Sequence, residues 1–293
     1  MANGCKPVTI ARRLSAYAAA SDDYGVSILN GRLGLLCLLP ALWGVVGCVS
    51  GFGPAAENGI VFYAPGAGNI DFGDRGLREG LERAGYRGQV ATVMWTFSFN
   101  PAFDQVVRGN ALLGAKQLAR KIEQYIDEYP GRPIHLVGLS AGTGVVVWAL
   151  EDLKSGYAVD NVVLLASSLS HDYDMSKALR HVRGKVYNYY SPNDAVLTVL
   201  MIPFGTIDGK LGADAAGAVG LNVRRRDARI VNIGWRPEFR RYNNYGAHQD
   251  GTQPRFVQAF VARHLLSDAG APQADDARVA SQLPTTPPAA HRD

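Results

Sequence analysis

The chain has 293 residues, 47% of them hydrophobic and 19% charged, with a formal net charge of +4. That is ordinary globular composition, with length for one large core or two small ones. So slight a charge excludes a nucleic-acid footprint, and the one basic run, Arg224-Arg225-Arg226, reads as a solvated loop rather than a contact to anionic lipid headgroups.

Residues 33–56 carry no charge, and their core reads LGLLCLLPALWGVVGC after Arg32. One basic residue, about 14 apolar residues and then small residues make a secretory signal pattern. The end of the run, Val45-Val46-Gly47-Cys48, resembles a bacterial lipobox, although Val46 is larger than the residue usual before the glycine. The resemblance implies that Cys48 is lipidated and becomes the mature N-terminus. A second reading is an uncleaved anchor, because about 20 apolar residues span a bilayer and 33–52 just supply them; Pro40 and the glycines weaken it. Cleaved, soluble secretion is a third. All three put the main domain outside the cytoplasm, and the expected location is the bacterial cell envelope, with membrane attachment through an N-terminal lipid or anchor. Residues 1–31 are too long and too polar for an ordinary leader, which points to a start codon further in. No cysteine lies beyond residue 48, so the main domain has neither a disulfide nor a cysteine-ligated metal.

After a polar tether, 48–59, short apolar runs alternate with helical patterns. Strands are expected at 60–64, 89–95, 133–139, 161–166, 185–190 and 229–233. Helices are expected at 74–84, 106–129, 141–153 and 255–266. Continuous apolar strands alternating with helices predict an α/β architecture, a mostly parallel sheet of about six strands with helices on both faces. The organisation is thus 1–47 extension plus signal or anchor, 48–59 tether, 60–267 main domain, and 268–293 a tail rich in Ala, Pro, Asp and Thr that reads as disordered.

Ligands of such sheets bind beyond the carboxyl ends of the strands. At one of these ends the third strand runs into HLVGLSAGTG, residues 135–144. A serine between glycines on a strand-to-helix turn points its hydroxyl out of the fold, and the glycines leave room for close helix–strand approach. The Gly-x-Ser-x-Gly string is weak alone; the flanking strand and helix strengthen it. Ser140 as a nucleophile needs a base, and the base needs an orienting acid. YYSPNDAV after the fifth strand supplies Asp194, and NNYGAHQDG after the sixth supplies His248. Asp172 or Asp174 after the fourth strand are alternatives to Asp194. Other histidines fit worse: His264 is inside the closing helix, His291 in the tail, His135 at the wrong end of its strand, and His171 and His181 precede the acid.

The order Ser140, Asp194, His248 on successive strand ends resembles the α/β-hydrolase superfamily, in its compact esterase/lipase form, over residues 60–266. The resemblance implies an α/β-hydrolase fold and a Ser-His-Asp triad working through an acyl-enzyme on a small-molecule or lipid ester, with no cofactor and no metal. It implies an oxyanion hole made by the Ala141 amide and a second amide after the first strand. There Pro65-Gly66 replaces the family's frequent His-Gly, with Ala67 the first choice of donor and Gly68 the second. The loop is no phosphate cradle, because no Gly-Lys-Ser/Thr follows. The region after the fourth strand, where relatives insert a cap, is only about 18 residues. The usual leading antiparallel strands are missing, as in cutinase-like minimal forms. The insertion falls at 195–226 instead, either a lid or acyl-binding wall or a helix packed on the sheet. Trp95, Phe97, Phe99 and Phe103 either pack a loop or line a pocket. The expected function is ester hydrolysis; acyl transfer on the same triad and a non-catalytic envelope protein on a hydrolase scaffold are the alternatives.

Overall fold

A computed structural model of the chain describes residues 51–69, 73–96, 108–200, 203–222 and 227–266. The expectations for the leader with Cys48, for Phe97, Phe99 and Phe103, for 224–226 and for the tail lie outside these residues.

Six strands form one sheet: β1 (Ile60–Ala64), β2 (Gln89–Thr92), β3 (Ile134–Leu139), β4 (Asn161–Leu165), β5 (Val186–Tyr190) and β6 (Ile230–Gly234). Their order is β2-β1-β3-β4-β5-β6, and every pair is parallel. The helices are α1 (Gly73–Arg83), α2 (Arg108–Glu128), α3 (Gly142–Asp152), the short α4 (Ser176–Leu179) and α5 (Ala216–Val219), and a closing α6. The last runs from Pro254–Phe256 through a π turn at Val257–Val261 to Ala262–Leu266.

Side chains alternate across a strand, and that alternation divides the core in two. Phe62, Leu136, Val162 and Leu164 face Leu118 and Ile122 of α2 and Val146 of α3. Val61, Tyr63, Val137, Val163 and Leu165 face Leu77 and Leu81 of α1 and Phe256 and Val261 of α6. β1, β3 and β4 are buried along their whole length, which is why they read as mostly apolar runs rather than alternating ones. The chain leaves β1 in one direction for β2 and returns on the other side as β3. This reversal sets the crevice between the ends of β1 and β3, where open α/β sheets bind ligands.

Two boundaries differ from expectation. β2 stops at Thr92 rather than at residue 95. Val93 still donates to Tyr63 O at 2.8 Å, but Trp95 then turns so that its indole Nε1 donates to Pro65 O at 2.8 Å. The tether 48–59 is also not loose over its second half. Phe52 meets Tyr125 edge-on at 5.3 Å, Pro54–Asn58 forms a 3-10 turn, and Tyr125 donates its hydroxyl to Ala56 O at 2.8 Å. Residues 52–58 therefore belong to the packed domain, because Phe52 and Ala56 complete the apolar layer beside α2.

Candidate active site

Ser140 leaves β3 in the left-handed region, with φ 53°. That conformation costs a non-glycine residue about 1–2 kcal/mol, so the surroundings must hold it. The Ser140 amide continues the sheet ladder to Leu165 O at 3.0 Å. The Ser140 carbonyl accepts the Thr143 amide at 3.0 Å and the Thr143 hydroxyl at 2.5 Å. Ser167 Oγ, from the end of β4, donates in turn to Thr143 Oγ1 at 3.0 Å. In the sequence, a Thr three residues after the serine is the only local sign of this chain of hydroxyls.

Gly142 explains the close approach of α3 to β1. A Cβ there would lie 2.1 Å from Ala64 O and 2.4 Å from Pro65 O. The start of α3 therefore sits against the 65–69 loop, with the Ala141 amide at the positive end of the helix dipole. Among the described residues no protein acceptor takes the backbone amides of Ala141 or Ala67. Gly68 has φ 78°, and the Trp95 indole pins Pro65 beside it. Trp95 is buried and packs against Gly114 of α2, so it braces the loop.

Asp194 lies just past β5 and is 1% exposed. Its Oδ1 accepts the amides of Val196 and Leu197 at 3.0 and 3.1 Å, contacts that cap the short π-helical turn Val196–Leu200. Its Oδ2 accepts from His248 Nδ1 at 2.8 Å. The His248 loop is held from within: Asp250 Oδ2 accepts the amides of Tyr245 and Ala247 at 2.7 and 3.0 Å, and Trp235 Nε1 donates to Asn244 O at 3.1 Å. Nothing in the sequence singles out Asp250, which reads there as a turn residue. The imidazole keeps 15% of its side-chain surface exposed. A cavity of about 30 Å³ lies behind the pair, lined by Tyr189, Trp235 and Gly246 but not by Ser140. It is the size of one or two waters.

The structure thus joins Asp194 to His248 and sets Ser140, Ala141, Ala67 and Gly68 at the ends of β3 and β1. Among the described residues Ser140 Oγ and His248 form no hydrogen bond; such contacts in ligand-free enzymes are often long and tighten on substrate. The other acids are engaged elsewhere. Asp172 pairs with Lys210 at 2.6 Å, which holds its carboxyl below the usual range, and Asp174 accepts the Ser176 amide at 3.0 Å. Of the other histidines, His264 stacks on Tyr187 at 3.6 Å inside the core, His181 bonds Tyr157 O, and His135 is at the opposite end of β3.

The described part of the insertion packs on the sheet. A Cβ at Gly217 of α5 would lie 2.2 Å from Ser167 N, Asn188 Nδ2 donates to Ala216 O at 3.0 Å, and Ile207 is buried beside Gly144. Ser170 gives both its amide and its hydroxyl to Asp208, at 2.8 and 2.6 Å, which ties this segment to the β4 exit.

A family model described as alpha/beta hydrolase matches residues 74–203. No curated protein matches the chain. Among solved structures the chain is similar to a dienelactone hydrolase from Anabaena variabilis ATCC 29413, at 18% identity over 70% of this chain and 84% of that one, with a TM-score of 0.40. It is similar to the carboxylesterase CesB (YbfK) from Bacillus subtilis, at 11% identity over 71% and 83%, with a TM-score of 0.37. A Trichoderma reesei cutinase in complex with a C11Y4 phosphonate inhibitor matches at 16% identity over 42% of this chain, which spans 57% of that one, with a TM-score of 0.34. The six-stranded parallel sheet, its helices on both faces and the short 166–185 connection in place of a large cap agree with that family model over the residues it matches, and the chain has an α/β-hydrolase fold.

Proposed function

We propose that this α/β-hydrolase is an exported serine hydrolase that cleaves carboxylic esters. The observation that carries the reading is the 2.8 Å Asp194–His248 hydrogen bond, past the same end of the sheet as the left-handed Ser140. His248 donates Nδ1–H to Asp194, so its Nε2 holds the lone pair. That nitrogen takes the Ser140 proton as Oγ attacks the ester carbonyl, while Asp194 holds the tautomer and stabilises the imidazolium. The amides of Ala141 and Ala67, or Gly68 in place of Ala67, receive the oxyanion. The alkoxide leaves with the proton from His248. Water then enters, gives a proton to His248 and attacks the acyl-enzyme, releasing the acid and restoring Ser140. The substrate is a small-molecule or lipid ester, and the reaction as written needs no cofactor.

A fluorophosphonate probe tests this directly, because it phosphonylates only an activated serine. Wild-type protein should be labelled, and Ser140→Ala should not. Equal labelling of both moves the nucleophile elsewhere; no labelling of either favours a non-catalytic scaffold. Turnover of an acyl-ester series with an added alcohol separates hydrolysis from acyl transfer.

The leader supports membrane attachment through Cys48 in the bacterial envelope, with two or more acyl chains needed for stable anchoring. Mass spectrometry of the N-terminal peptide should find the mature chain starting at an acylated Cys48. A terminus elsewhere, or an unmodified Cys48 on an intact leader, ends that part of the reading and leaves the chemistry untouched.

A further inference from the structure

The opposite end of the sheet holds a second cavity, of about 340 Å³, beneath the amino ends of β3 and β4. That is within the range of small-molecule sites, and no step of the proposed reaction uses it. His135 and Asp160 form its buried side, at 2% and 7% exposed. Ile126 and Leu265 add apolar surface, and the exposed Arg132 and Arg183 complete the lining.

Asp160 is fully engaged by the fold. Its Oδ2 accepts the Ile134 amide and its Oδ1 accepts Arg183 Nε, both at 2.8 Å. The outer N–H groups of Arg183, and the whole Arg132 guanidinium, have no protein acceptor among the described residues. His135 Nδ1 accepts the Asn161 amide at 3.3 Å. The ring proton therefore sits on Nε2, which has no partner among the described residues. Burial pushes His135 down to about 4, so the imidazole is a neutral donor near pH 7. Two guanidinium charges face one carboxylate, an excess of one positive charge beside an apolar wall. Paired donors in a guanidinium fork match the two oxygens of a carboxylate.

We propose that this cavity binds a small organic monocarboxylate. Its head group would take hydrogen bonds from Arg132, Arg183 and His135 Nε2, and its apolar body would lie against Ile126 and Leu265. The site stands independently of the catalytic reading, since none of its residues touches Ser140, Asp194 or His248.

Calorimetric titration of the full chain with cyclohexanecarboxylate tests it. Saturable binding at one site is expected, with no binding of neutral cyclohexanecarboxamide and weaker binding of inorganic phosphate. Arg132→Gln removes an exposed, unpaired side chain and should weaken binding about tenfold, the loss of one charge-assisted hydrogen bond, with ester turnover unchanged. Arg183→Gln should weaken it at least as much; its thermal melt separates lost binding from the lost Asp160 pair. The His135 imidazole resonances should shift on titration in wild type. No saturable binding, unchanged affinity in Arg132→Gln, or equal affinity for the carboxamide or for phosphate would each overturn the proposal.

Discussion

β3 and β4 lie side by side with Leu139 opposite Leu165, and each leaves the sheet through the next residue at positive φ, Ser140 at 53° and Ala166 at 46°. Backbone strain is therefore common to both exits and does not mark a nucleophile. The two exits differ in the segments they lead into. Ser140 runs within two residues into α3, with a carbonyl held by Thr143 and a neighbouring amide at a helix start. Ala166 runs into the buried serines 167, 168 and 170, which anchor Thr143, Ile207 and Asp208. In the proposed function one exit carries the nucleophile, and the other braces it. A strained turn becomes reactive only through the hydroxyl it carries and the helix it opens.

The contrast between the exits should be sharpest at the serine. Ser140→Ala should lower ester turnover by about 10⁶-fold, since triad members act as a unit, while Ala166→Ser should leave turnover unchanged. Comparable loss in both variants would mean that the exits are not distinguished by the hydroxyl. Next comes Gly142→Ala. Its Cβ would press on Ala64 O, so stability to urea should fall by about 2–3 kcal/mol. An unfolding midpoint within error of wild type would show that α3 can retreat from β1 at no cost.

Thr143→Val should have a smaller effect. It deletes the hydroxyl between Ser167 and the Ser140 carbonyl in a fully buried site. The expected cost is about 1–2 kcal/mol of stability, with kcat falling more than KM rises because the serine loosens. A stable variant with full kcat would relegate the bridge to packing. Ala166→Gly should give the smallest change and the opposite sign. Relief of the left-handed strain, less glycine's extra unfolded-state freedom, predicts a gain of about 0.5–1 kcal/mol with turnover intact. Thermal melts decide it, and a loss of stability would mean that the Ala166 methyl packs well enough to outweigh the strain.

Much of this is legible in the chain. All six strands and the four long helices are found close to where the apolar patterns put them, because burial on both faces writes itself into consecutive residues. The order Ser140, Asp194, His248 is legible because each residue lies beyond a readable strand, and a strand end is a local fact. The ends of elements are less so. β2 reads as three residues too long because Val93, Met94 and Trp95 are as apolar as a strand, and only the contact of Trp95 with Pro65 turns them away. The tether reads as loose because GFGPAAENG is polar and small, although Phe52 finds Tyr125 and Tyr129 some 70 residues on.

The alternation of strands and helices, the parallel sheet and the three residue types that stand at its carboxyl ends follow from local pattern alone. These arise from periodicities of two and 3.6 residues and from glycines at turns, all of which act within a few residues. Packing of the whole sheet settles which partners meet: Ser167 with Thr143, Asp194 with both the 196–200 turn and His248, and Arg132, His135, Asp160 and Arg183 around one cavity. Those groups converge because the crossovers lay β1, β3, β4 and β5 side by side in one register. A short-range pattern carries no information about which distant strand will be the neighbour, so contacts made across strands are settled only when the whole sheet has packed.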